Sequence, residues 1–200
     1  MIPDVVIPFA NSSAGKNPKD ALHFFDRLGL YTAIFTDPTV QGTPNPSTTN
    51  WDTVYNCLDI LRMRETPGSI YQSLVRSDDA KYLAWVLAAL TPWSAVPQPA
   101  ATNPKRSLPL GALAAREGIK IDNKMTSVIT GAFRHREEVT SLKDAIKGED
   151  AYVNDRGIVG MSIRRWEALG GQWRLQALFA LLVEVLNNPE GEQPHILEID

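Results

Sequence analysis

Gly68-Ser69 followed by Asp78-Asp79 has the residue types of a nucleotidyl-transfer site. That chemistry needs carboxylates on Mg²⁺ close to a turn that grips a triphosphate. The two aspartates are adjacent, however, whereas alternation on a strand is what aims a pair at one metal. Ser77-Asp78 is read instead as a helix cap. Cys57 sits between Tyr55 and Leu58 on an apolar helical face and is read as a core residue, not a nucleophile. His23, His135 and His195 are scattered without metal-ligand spacing, and no Gly-rich phosphate loop appears.

Charge distribution is more informative. The chain has 200 residues, a formal charge of −3, 44% apolar and 22% charged residues. Residues 1–104 hold 7 Lys/Arg and 9 Asp/Glu, residues 105–174 hold 13 and 9, and residues 175–200 hold 0 and 5. A mildly acidic protein thus carries one basic block, either a mixed-charge solvated surface or a footprint for nucleic acid. The candidate phosphate-binding residues are Arg116, Lys120, Lys124, Arg134, Arg136, Arg164 and Arg165. Arg164 and Arg165 diverge by ~100° on a helix, and Glu167 or Asp155 is the expected carboxylate partner for one of them. Trp166 and Trp173 flank arginines; core packing is their first reading and base stacking the alternative.

The elements that must position these residues read as all-α. Asn17-Pro18-Lys19-Asp20 predicts an N-cap, a proline at the first helical position and an acidic first turn, and Gly29-Leu30 predicts a Schellman stop. Trp51, Val54, Tyr55, Leu58 and Leu61 mark a second helix ended by Pro67-Gly68. A short helix over 69–75 and a nearly all-apolar one from Ser77-Asp78 to Pro92 follow. Five prolines between 92 and 109 predict a linker. Beyond it, helices are predicted at 109–117, 123–136, 140–147, 155–169 and 171–187. The expected organisation is a flexible arm at 1–16, a helical body at 17–91, the linker at 92–109, a basic helical lobe at 110–187 and an acidic tail at 188–200. The longest apolar runs, 84–90 and 177–183, are too short to span a membrane, and no targeting segment is visible at the start.

Whole phrases then carry a resemblance. Lys16-Asn17-Pro18-Lys19-Asp20-Ala21-Leu22, Asp26-Arg27-Leu28-Gly29-Leu30-Tyr31 and Ile34-Phe35 open it. Tyr82-Leu83-Ala84-Trp85, Ala88-Ala89-Leu90-Thr91-Pro92-Trp93, Ala115-Arg116-Glu117-Gly118-Ile119-Lys120 and Asn123-Lys124 continue it. Gly160-Met161-Ser162-Ile163-Arg164-Arg165-Trp166-Glu167-Ala168, Gly170-Gly171 and Trp173-Arg174-Leu175-Gln176 complete it. In order, these resemble the C-terminal half of eukaryotic, especially fungal, CCA-adding tRNA nucleotidyltransferases, over residues 16–187.

The resemblance implies body and tail domains that hold the acceptor and T arms of tRNA. In that family a separate head binds Mg²⁺ with CTP and ATP, and a neck selects the nucleotide. No counterpart of the head or neck motifs is present, so no catalytic residue and no cofactor is carried over. The expected function is tRNA binding in 3′-end processing, inactive alone. The alternatives are one subunit of a split enzyme, acting with a separate catalytic head, and a helical interaction module without RNA binding. The family serves mitochondrion, cytoplasm and nucleus.

Overall fold

The computed structural model describes residues 17–37, 42, 44–98, 107–148 and 155–189, all of whose regular elements are helical. The expected arm at 1–16, the middle of the proline-rich segment and nearly all of the acidic tail lie outside the described residues.

Local signals set the helix ends. α1 (Pro18–Arg27) starts with proline in its first turn and has Asn17 at its N-cap position, but the Asn17 side chain makes no cap hydrogen bond; its amide donates to Asp20 Oδ2 at 2.9 Å. At its other end Gly29 takes φ 62°, its N–H meets the Asp26 carbonyl and the Leu30 N–H meets that of Phe25, which is the predicted Schellman closure. α2 (Tyr31–Ile34) follows at once. α3 (Trp51–Met63), α4 (Ile70–Leu74) and α5 (Asp78–Leu90) come next, the last two capped by Ser69 and Ser77. A 3-10 turn, Thr91–Ala95, closes this stretch.

After the proline-rich segment come α6 (Leu110–Glu117) and α7 (Asn123–Lys147), the latter capped by Asp122 through the Met125 N–H at 2.8 Å. α7 runs unbroken where two helices were expected. Its middle, Glu137-Glu138-Val139-Thr140, holds no helix breaker; Val139 is buried and the Thr140 hydroxyl bonds back to the Arg136 carbonyl. α8 (Arg156–Glu167), a 3-10 turn over Ala168–Gly170 and α9 (Trp173–Asn187) complete the described chain.

The main core is continuous across the proline-rich segment. Leu22, Phe35, Trp51, Leu58, Leu87 and Trp93 share it with Ala112, Ile129, Leu175, Phe179 and Leu182. α9 makes this possible. It is apolar on nearly every side and packs against α3, α4 and α5 as well as α7. Asn50, in a left-handed conformation before α3, donates to the Leu186 carbonyl at 3.3 Å and ties the two ends together.

Aromatic rings fill the N-terminal half of this core. Tyr31, Phe35, Trp51 and Tyr55 pack as neighbours, mostly edge to face. Tyr31 Oη donates to the Ala89 carbonyl, Trp51 Nε1 to that of Ala88 and Trp93 Nε1 to that of Phe35, while Tyr55 Oη donates to Asp26 Oδ2 at 3.2 Å. Burying these rings therefore leaves no orphaned donor among them.

Candidate nucleic-acid interface

Small residues bring the basic helices close. An added Cβ at Gly131 of α7 would lie 2.8 Å from Gln176 Nε2 of α9, and one at Gly171 would lie 2.0 Å from the Trp166 carbonyl oxygen. That carbonyl also accepts from fully buried Gln176 at 2.6 Å. Together these contacts fold the end of α8 back onto α7. A second small core of Val139, Trp166 and Ala180, with Leu142, Ile163 and Trp173 against it, holds α8 in place.

The result is a groove of about 350 Å³ lined by Arg116 from α6, Arg134 and His135 from α7, and Arg165 from α8. Asn123, Thr126, Ser127 and Thr130 supply polar walls, and Ala168 and Leu169 one rim. No carboxylate is among the lining residues described. The hydroxyl hydrogens of Thr126, Ser127 and Thr130 bond to the carbonyls of Asp122, Asn123 and Thr126. With those hydrogens committed, the oxygens keep acceptor capacity only.

Each arginine is held rather than loose. Arg116 meets Glu117 at 2.7 Å, and Arg134 donates to the Ser107 carbonyl at 2.8 Å. Arg165 meets Glu138 at 3.2 Å, through the same carboxylate oxygen that accepts from Trp166 Nε1 at 2.7 Å. Neither Glu167 nor Asp155 fills the expected pairing role; Asp155 caps α8 through the Gly157 and Ile158 N–H groups. Glu138 reaches Arg165 because the unbroken α7 carries it alongside α8.

Three of the seven candidate cations share the groove and four do not line it. Lys120, left-handed at φ 57°, pairs with Glu117 at 3.7 Å, and Lys124 pairs with Asp79 at 3.6 Å. Arg136 donates to the Ser94 carbonyl at 3.1 Å, joining α7 to the first 3-10 turn. Arg164 is exposed on α8. Trp166 is buried, and Trp173 is half-buried with the Arg174 guanidinium 4.5 Å from its ring centre, so neither ring faces the groove.

Asn123, Ser127, Thr130, His135 and Leu169 were not read from the sequence as binding residues. Four positions, 123, 127, 130 and 134, follow helical spacing, so a polar stripe on α7 was readable there.

His135 adds a titratable group. Burial lowers its pKa from the ordinary 6.5, Glu138 opposing the fall and Arg165 and Arg134 adding to it. Its Nδ1 is buried without a partner. The folded protein thus keeps His135 neutral at pH values where the unfolded chain takes up a proton, so its effect is loss of stability as pH falls below the ordinary value and none well above it. His135→Gln is expected to flatten the fall in stability as pH drops below about 6.5 in denaturant titrations; an unchanged slope would count against this assignment.

The remaining groups considered for chemistry have structural partners. Asp78 and Asp79 lie in the first turn of α5, with Lys81 on the former and Lys124 on the latter. Consecutive helical positions diverge, so the pair does not fit a shared metal. Burial pushes the Cys57 thiol pKa up, away from nucleophilic use. Among the described residues no group of three His, Cys, Asp or Glu side chains could hold a metal ion. No described helix is long and apolar enough to cross a membrane.

The described residues form an all-helical fold that gathers three arginines and several hydroxyl-bearing residues around a groove with no carboxylate among its lining residues. The sequence is similar to that of a named enzyme: it is 42% identical over 172 residues to Nucleotidyltransferase lcsQ of Purpureocillium lilacinum. The match takes in 86% of this chain but only 29% of that protein, so the chain spans less than a third of its relative's length. No family model matches the chain. No solved structure matches it.

Proposed function

We propose that this chain is the tRNA-binding C-terminal region of a CCA-adding tRNA nucleotidyltransferase, serving tRNA 3′-end processing and unable to add nucleotides by itself. The observation that carries the proposal is the convergence of Arg116, Arg134 and Arg165, from three helices, on one groove without a carboxylate in its lining. Similarity to a nucleotidyltransferase over most of the chain supports it, as does the ordered set of CCA-enzyme-like phrases. Shape, phosphate and 2′-hydroxyl contacts suit an enzyme that must accept tRNAs of every sequence. Mg²⁺, CTP and ATP would then belong to a catalytic head outside these residues, and tRNA would be the partner of the groove.

Binding of a tRNA transcript at two salt concentrations, with CTP and ATP incorporation measured alongside, tests this. Expected are tRNA binding that weakens as salt rises and no incorporation. Affinity that ignores salt would remove the phosphate-gripping role, and incorporation by the chain alone would overturn the non-catalytic one.

A further inference from the structure

We propose that Leu169 is an apolar contact for an exposed base face in the RNA held by the arginine groove, an inference that rests on the RNA-binding reading above. Leu169 lies on the groove rim beside Arg165 and is 87% exposed, more than any other large apolar side chain described. Its backbone is left-handed, at φ 59° and ψ 28°. A bulky residue is disfavoured there, where glycine or asparagine fits without penalty. The left-handed backbone costs stability, and a side chain this exposed gains little from burial in return. Costly, well-defined conformations of this kind concentrate at binding surfaces.

The turn that presents Leu169 is firmly seated. Gly170 takes φ 85° and rests on α7, where a Cβ would lie 3.4 Å from Ser127 Cβ, in ordinary van der Waals contact. Gly171 leaves no room for any side chain against the Trp166 carbonyl. Leu169 is therefore aimed by the packing of α7 and α8, and its side chain stands ready before any partner arrives.

Charge selects the partner. With Arg116, Arg134 and Arg165 around it and no lining carboxylate, the groove favours a polyanion. Phosphates alone give an apolar rim nothing to touch. A base face does, and apolar side chains are known wedges against base steps. In a continuous duplex those faces are stacked away, whereas loops and junctions of a folded RNA expose them. The target is accordingly a folded RNA with an open base face, not duplex alone.

Leu169→Asn removes the apolar surface while suiting the left-handed backbone, and Leu169→Met keeps an apolar side chain. Binding of a tRNA transcript and of a long, perfectly paired RNA duplex is measured for the full chain and both variants across salt. Leu169→Asn is expected to bind tRNA about 5- to 10-fold more weakly, the low end of single-base contact effects. Duplex affinity, salt slope and thermal midpoint should not fall, and Leu169→Met should bind as the unaltered chain does. Equal tRNA binding by Leu169→Asn, or equal losses on tRNA and duplex, overturns the assignment while leaving RNA binding intact. Failure of the unaltered chain to bind tRNA overturns the RNA-binding reading and this inference with it.

Discussion

Replacing Arg116, Arg134 and Arg165 together by alanine is expected to weaken tRNA binding by about 10- to 100-fold near physiological salt and to reduce the salt slope by up to ~3. Each phosphate neutralised releases condensed counterions, so losing the contact lowers both affinity and its salt dependence. These three side chains are the test set because they come from α6, α7 and α8 and share one groove. A matched variant of Lys120, Lys124 and Arg164, none of which lines the groove, should lose less. The fold should survive the groove variant. The Arg116–Glu117 and Arg165–Glu138 pairs involve side chains 40% and 60% exposed, and such pairs contribute about 0–1 kcal/mol each. Equal losses in the two triple variants would show diffuse attraction rather than a groove.

Trp93→Ala carries the largest expected loss of stability, about 3–5 kcal/mol. Trp93 is 1% exposed, sits just after α5 and donates through Nε1 to the Phe35 carbonyl at 2.9 Å. Truncation opens a cavity and orphans that carbonyl, which adds to the cost. For a chain of this size the loss corresponds to a fall of roughly 6–20 °C in thermal midpoint. Trp93→Phe, which keeps most of the ring volume but not the donor, should fall between the two. A midpoint within a degree or two of the unaltered chain for Trp93→Ala would contradict the packing described.

Residues that act locally were readable from the sequence. Gly29 followed by Leu30 and Ser77 before Asp78 each act within a few residues of themselves, and the structure uses both to end or begin a helix. Asn17 stands at the predicted N-cap position, but Asp20, three residues on, takes its amide and no side-chain cap bond forms. The sequence reading placed a boundary between 136 and 140, inside the unbroken α7. No glycine or proline enforces one.

Long-range pairings left no local trace. Arg165 finds Glu138 across the packing of α7 against α8, so nearby Asp155 and Glu167 looked equally suitable. Likewise, nothing near the five prolines reveals that apolar faces on both sides of them meet in one core. Arg136 had the right charge for a phosphate contact, yet its guanidinium is directed to the Ser94 carbonyl by a neighbour 42 positions back. The groove itself was half legible: the basic block gave its cations, but their grouping depended on Gly131 and Gly171 letting helices approach.

The position of α9 bears on how the protein is made. This helix covers α3, α4 and α5, yet every residue of those elements leaves the ribosome before any residue of α9 does. Until then the faces around Trp51, Leu58 and Leu87 lack their last wall and stand open to water. Contacts such as Asn50 with Leu186, separated by 136 positions, close only once α9 has emerged. The nascent chain therefore carries a sticky apolar surface while the residues between α5 and α9 are made, the interval in which chaperone binding and premature association compete with folding.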